Sequence, residues 1–173
     1  MLRAATLTGL LLVSLGLCSA TQRQPLPEGS IKAAFLLKFA EFVAWPEPVT
    51  GPFTVCLSAA HPFGSTITDL AQGATVHGRP LVVRTLDGGD SDRGCQVAYL
   101  TPSDHDRLRA LASRPVLTVG DASDFCTRGG IINFRTVQGR VRFEIHLGNA
   151  RTSGFAIDSQ LLRLALDVHG GRP

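Results

Sequence analysis

The chain has no concentration of charge, no second long hydrophobic run and no catalytic motif, and each absence removes a class of function. Seventeen basic and 14 acidic residues leave a formal net charge of +3, with both signs scattered along 173 positions. That is not the footprint of a nucleic-acid binder, and no nucleic-acid partner is expected. After residue 20 no apolar stretch approaches bilayer-spanning length and no basic amphipathic segment is suited to lie on a membrane, so direct membrane insertion is not expected either. The five histidines, His61, His77, His105, His146 and His169, include no i, i+4 pair of the metalloprotease kind, and no metal site is expected. Neither a G-x-S-x-G elbow nor a G-x-G-x-x-G turn occurs. Gly129-Gly130 precedes a strand rather than a helix, so it lacks the helix N-terminus of a phosphate cradle, and backbone angles that glycine adopts most readily suffice to explain it. Asp104-His105-Asp106 opens a predicted surface helix, where acidic side chains favour the helix dipole. A protein without catalysis and without a cofactor is the expectation.

The first twenty residues differ from the rest. Arg3 supplies a positive start, Leu7 to Leu17 is apolar but too short to span a bilayer, and Cys18-Ser19-Ala20 ends in small residues at a cleavage-type spacing. The pattern predicts a secretory signal peptide over 1–20, cut after Ala20. Leu17 is bulky where lipoprotein processing wants a small residue, which argues against an anchor at Cys18. Losing Arg3 takes the net charge to +2. Export to an oxidising compartment favours disulfides, and Cys56, Cys95 and Cys126 remain. Cys56 lies in the predicted strand FTVCLS and Cys95 opens CQVAYL, so neighbouring positions in one sheet predict a Cys56–Cys95 bridge. Closing a ring of roughly forty residues is worth about 4 kcal/mol in the loop-entropy picture. Cys126 is then a free thiol, read as a small buried hydrophobe.

Residues 21–29, TQRQPLPEG, read as a flexible leader, 30–169 as one domain and 170–173 as a tail. A helix is predicted from Ile31 to about Ala44, capped by Ser30 and ended by Trp45-Pro46, with Phe35, Phe39 and Phe42 on one stripe. Strand Phe53 to Ser58, a helix near Phe63 to Ala71, strand Leu81 to Leu86, strand Gln96 to Leu100, a helix from Asp104 to Ala112 capped by Ser103, and strand Val116 to Val119 follow. This alternation argues for an α/β fold, a three-layer Rossmann-like sandwich with a largely parallel sheet. Ile131 to Arg135 and Val141 to Ile145, joined across Gln138-Gly139, add an antiparallel C-terminal hairpin at the sheet edge. A helix starting at Asp158 or Ser159 packs Leu161, Leu162, Ala165 and Leu166 onto it. In the second hairpin strand Val141, Phe143 and Ile145 alternate with Arg142, Glu144 and His146, which buries the first set and displays the second. Asn133 and Arg135 share that outer face, with Arg163 of the last helix nearby. These five, Asn133, Arg135, Arg142, Glu144 and Arg163, are the candidate partner-binding residues. The plainer account is charge pairing on a solvated face, worth ~0.5 kcal/mol; on it, truncating Arg142 or Glu144 costs about 1 kcal/mol or less.

VLTVGDASDFCTRGGIINFRTVQGRVRFEIHLGNARTSGFAIDSQLLRLA, from Val116 to Ala165, resembles the C-terminal signature of the YfiR-like family of small periplasmic proteins. IKAAFLLKFAEFVAWP, from Ile31 to Pro46, resembles the same family's opening, KAAFLYNFAKFVEWP, and GRPLVVRTL and the run after Gly94 sit where relatives place similar strands. Lys38 and His146 stand where the family pattern has Asn. Some relatives carry a second, local bridge near the glycine pair, but here Asn133 holds the partner position. The resemblance implies a periplasmic regulator that binds and represses the periplasmic sensor domain of an inner-membrane diguanylate cyclase, limiting cyclic-di-GMP signalling and biofilm formation. It also implies an outer-membrane lipoprotein that sequesters the repressor, and a homodimer stays open. Binding of this kind requires a patch able to bury on the order of 1,000 Å², for which the Phe-rich first helix and the hairpin with the last helix are the candidates. The alternative of another class is a periplasmic small-molecule binding module, its pocket at the carboxyl ends of the parallel strands.

Overall fold

The computed structural model describes residues 26–46, 50–86 and 92–171; the expected signal peptide and most of the leader lie outside the described residues. Helix α1 (Glu28–Phe39), with Pro27 at its N-cap, begins three residues earlier than expected. Pro27 has no N–H to leave unsatisfied, and Glu28 in the first turn pairs with Lys32 at 2.8 Å. Ser30 is therefore inside the helix and not its cap, and its hydroxyl lies 3.1 Å from that of Thr66. The far end also departs from expectation. Ala40–Phe42 tightens into a 3₁₀ turn and β1 (Val43–Ala44) leaves in extended form, because these residues find a partner strand late in the chain.

The alternating elements follow: β2 (Phe53–Ser58), α2 (Thr66–Ala71), β3 (Thr75–Val76), β4 (Arg79–Leu86), β5 (Val97–Leu100), α3 (His105–Leu111) and β6 (Leu117–Gly120). A 3₁₀ turn, Pro102–Asp104, opens α3, and the cap is Thr101 rather than Ser103: the Thr101 N–H and hydroxyl both donate to Asp104 Oδ2, at 2.9 and 2.7 Å. The chain ends with β7 (Ile132–Val137), β8 (Arg140–His146), α4 (Leu147–Thr152), β9 (Ala156–Ile157), α5 (Ser159–Leu164) and β10 (Asp167–His169). Gln138 and Gly139, at φ of 50° and 71°, make the hairpin turn whose twist matches the strands it joins. Asp158 caps α5 by accepting the Gln160 N–H at 2.6 Å.

Among the described residues, eight strands form one mostly parallel sheet in the order β10-β8-β7-β6-β5-β2-β4-β3, and β1 pairs antiparallel with β9 separately. The hairpin is antiparallel as expected but is not the edge. Residues Asp167–His169 pair parallel to β8 and take the edge position.

Period-two alternation sends apolar side chains to both faces of the sheet. On one face Phe53, Val55, Leu57, Val97, Tyr99, Leu117, Val119, Phe134 and Phe143 form a single cluster with residues of α1, α2 and α5. On the other, Cys56, Ala98 and Leu100 pack with Leu108 and Leu111 of α3. Leu161 is the fully engaged residue of α5; Leu162 and Ala165 are partly buried and Leu166 is exposed. A disulfide joins Cys56 to Cys95 with Cα atoms 5.8 Å apart, closing a 39-residue separation, and Cys126 is free and buried.

Candidate functional site

The candidate site grows from β7 and β8, whose alternate residues face away from the phenylalanine core. Register sets Asn133 opposite Glu144 and Arg135 opposite Arg142. Asn133 Nδ2 donates to Glu144 Oε1 at 2.9 Å, and Arg135 Nη1 reaches Glu144 Oε2 at 3.3 Å. His169, delivered by β10, places Nε2 3.6 Å from the same oxygen. One carboxylate of β8 thus gathers an amide and a guanidinium from β7 and an imidazole from β10.

This carboxylate is not the solvated outward charge that alternation alone suggests. Only 7% of Glu144 is exposed and Asn133 is fully buried, whereas the Arg135 side chain is 44% exposed. Strand β10 flanks one side, and the loop before β7 approaches closely enough for the Glu144 charge to act on the Cys126 thiol. Burial, then that charge, pushes the Cys126 thiol up to about 12. A thiol so placed stays protonated and unreactive at neutral pH. The Asn133 Oδ1 atom is buried without a hydrogen-bond partner.

Arg142 is exposed and directly faces Arg135, a like charge, across the hairpin, so the cross-strand pairing of opposite charges is the diagonal contact from Arg135 to Glu144. Arg163 is not brought to this cluster. It lies on α5, whose Leu161 packs in the core on the Phe143 side of the sheet, and its guanidinium reaches Ser159 Oγ at 3.3 Å. His169 was absent from the expected set. Its only signal in the sequence is nearness to the chain end, since a three-residue parallel strand with exposed positions shows no period.

The glycine pair before β7 has two separate causes. Gly129 adopts φ of +104°, whereas Gly130 and Gly120 clamp the Phe125 ring, which a Cβ would meet at 2.1 and 2.4 Å respectively. The loop they shape is held by Asn149 of α4, whose Nδ2 donates to the carbonyls of Cys126 and Gly130 at 2.8 and 2.7 Å.

Two further places bear on ligand binding. At the carboxyl ends of β5 and β6, Lys32 is buried and bound to Asp121 at 3.0 Å and to Glu28 at 2.8 Å. Burial lowers its affinity for a proton, but the two carboxylates outweigh that and leave its pKa raised. Ser58, Thr101 and Asp104 are likewise joined to one another at the ends of β2 and β5. These strand ends thus carry polar side chains bonded to one another. An apolar groove of about 360 Å³ runs elsewhere, between α1 and α5, with Phe35, Phe39, Phe42, Phe143, Leu161 and Leu164 along it.

The YfiR/HmsC-like family matches residues 29–166. The chain belongs to that family. The match takes in α1 from Gly29 onward, both hairpin strands and α5, and with them Asn133, Arg135, Arg142 and Glu144. It stops one residue before β10, so the His169 arm of the cluster lies beyond the matched span. Among the described residues no helix is long and apolar enough to cross a membrane, and no group of three or more His, Cys, Asp or Glu side chains is arranged to hold a metal ion.

Proposed function

We propose that the protein is a non-catalytic periplasmic regulator of cyclic-di-GMP signalling, which binds and represses the periplasmic sensor domain of an inner-membrane diguanylate cyclase and so limits biofilm formation. An outer-membrane lipoprotein relieves the block by sequestering the repressor. This reading takes residues 1–20 as the signal peptide, 21–29 as a leader, and 30–169 as one domain, a three-layer Rossmann-like sandwich with α1, α2 and α5 on one face and α3 on the other. Membership of the YfiR/HmsC-like family carries it. The disulfide agrees with an oxidising compartment.

The surface assigned to the partner is the hairpin face, where Arg135 and Arg142 are exposed at the margin of the buried Asn133–Glu144 pair. A fixed carboxylate holding an exposed guanidinium gives a partner a preorganised charge, which favours specificity and rapid association more than raw affinity. Deleting the gene is expected to raise cellular cyclic-di-GMP and biofilm, and returning the wild-type gene to lower both. Unchanged nucleotide levels in a strain that expresses the protein overturn the repressor reading.

A further inference from the structure

His146 closes β8 and caps the helix that follows. Its Nδ1 accepts the Asn149 N–H at 3.1 Å, so Nδ1 carries a lone pair and the neutral ring holds its proton on Nε2. Asn and Asp are the ordinary side chains for this task, and they cap without titrating in the neutral range. An imidazole that caps through a bare nitrogen cannot do so once protonated, because both nitrogens are then donors. We propose that His146 is a proton-operated latch, whose protonation uncaps α4 and loosens the clamp that Asn149 holds on the loop before β7.

The geometry ties three elements to this ring. A Cβ at Gly148 would lie 3.0 Å from its Cε1 and a Cβ at Gly170 would lie 2.9 Å away, so the imidazole fills a slot between the start of α4 and the end of β10. Such a slot leaves little room for the ring to turn and offer another nitrogen. Asn149, which receives the cap through its N–H, spends its side-chain amide on the Cys126 and Gly130 carbonyls. Arg151 of α4 in turn donates to the Gly170 carbonyl. Uncapping α4 therefore acts on both the loop beside Glu144 and the strand that carries His169.

The surrounding charges set the direction. His169 of β10 lies with its ring centroid 6.3 Å away, Arg151 faces from α4, and Arg142 and Glu144 share the ring's side of β8. Glu144 and Asp167, the carboxylates of this neighbourhood, pair with His169 at 3.6 and 3.7 Å. Burial first, then the positive charges of His169 and Arg151, hold His146 below the usual imidazole range, with its own backbone group opposing in part. Because the folded pKa is depressed, the unfolded chain takes up the proton first. The stabilising contribution is complete above about pH 6.5 and is lost as pH falls from there through the folded value. The inference concerns the fold itself and holds whether or not the hairpin face binds a cyclase.

The test is amide hydrogen exchange with NMR titration of the full mature chain between about pH 8 and 5, across which an ordinary histidine changes charge. Protection of the Asn149 amide, corrected for intrinsic exchange, is expected to fall about tenfold per pH unit once the folded chain must first shed the cap. In His146→Asn, which keeps a capping oxygen, protection is expected to stay flat across the range. His61→Asn serves as a control, because His61 is also held low by burial and its Nδ1 accepts the Phe63 N–H; this variant should retain the wild-type response at Asn149. Flat Asn149 protection in the wild type, or an equal fall in His146→Asn, overturns the latch. Should His146→Asn fail to fold, the titration of the His146 ring in the wild type decides: a midpoint below about 6.5 supports the proposal and one at or above it overturns the proposal.

Discussion

The two faces of the β7–β8 hairpin are built from alternate residues of the same few positions, yet they hold together by different physics. On one face Phe143 lies 4.9 Å from Phe39 and 5.7 Å from Phe35, and Phe134 lies 5.6 Å from Phe39, ring centroid to ring centroid. Burial of aromatic area dominates there, and the tilted ring geometries add to it. On the other face Asn133, Arg135 and His169 converge on the Glu144 carboxylate. Here stability depends on each buried polar group keeping its partner, since an unpaired one bears its full desolvation cost. The contrast shows that period-two alternation assigns a residue to a face but says nothing of its depth. Depth is fixed by what distant parts of the chain bring over that face: α1 and α5 above the phenylalanines, and β10 with the loop before β7 beside the carboxylate.

Truncation of the aromatic face is the harshest test of this contrast. Phe143→Ala removes a ring that is 2% exposed and that floors the groove between α1 and α5. A loss of roughly 3 to 5 kcal/mol is expected, read as a fall in the denaturation midpoint, and the proposed repression of the cyclase should fail alongside. A loss under about 1 kcal/mol would mean that the face tolerates a cavity, and would remove the energetic distinction between the two sides.

Glu144→Ala comes next, with about 2 kcal/mol expected. The variant leaves the Asn133 amide buried without its acceptor, while Arg135 and His169 are exposed enough to turn to water. This exceeds the 1 kcal/mol or less that a solvated charge predicts, and the buried position of Glu144 is the reason. Glu144→Gln sharpens the point, because it keeps an acceptor for Asn133 and drops only the charge. Its loss should be about half as large, around 1 kcal/mol. Equal losses in the two variants would assign the whole effect to the charge and none to the buried hydrogen bond.

Much of the scaffold was legible in the sequence, for reasons that particular residues make plain. Val141, Phe143 and Ile145 alternate strictly with Arg142, Glu144 and His146, and Gln138-Gly139 sits where a hairpin of that twist needs positive φ. Cys56 falls on β2 and Cys95 lies two residues before β5, the strand beside it, so the bridge forms as their places in FTVCLS and CQVAYL suggest although Cys95 does not open the strand. What stayed hidden depends on tertiary partners. Val43 and Ala44 look like the last turn of an apolar helix until β9 supplies extended hydrogen bonds to them. Asp167–His169 has no periodic pattern, and without it neither the burial of Glu144 nor the approach of His169 can be seen. The separation of Arg163 from the cluster follows from α5 crossing the phenylalanine face, a choice that its own sequence does not encode.

The gentlest substitution separates folding from recognition most cleanly. Arg142 is exposed and faces Arg135 across the hairpin. Like charges directly opposite are unfavourable, so Arg142→Ala relieves a small repulsion while surrendering a small amount of stem packing. The net change in stability should stay within about 0.5 kcal/mol of zero, and at high salt it should shrink further. If the hairpin face recognises the cyclase sensor domain, the same truncation near the centre of the contact is expected to cost ~2 kcal/mol in binding, or roughly thirty-fold in Kd. An unchanged melting temperature together with raised cyclic-di-GMP is therefore the expected pair of results for Arg142→Ala, whereas Phe143→Ala should move both at once. Wild-type repression by Arg142→Ala would remove this charge from the partner surface. The apolar groove along Phe35 and Phe42 would then be the better place for the cyclase to bind, and the polar face of the hairpin would serve only to hold β10 and the loop in place.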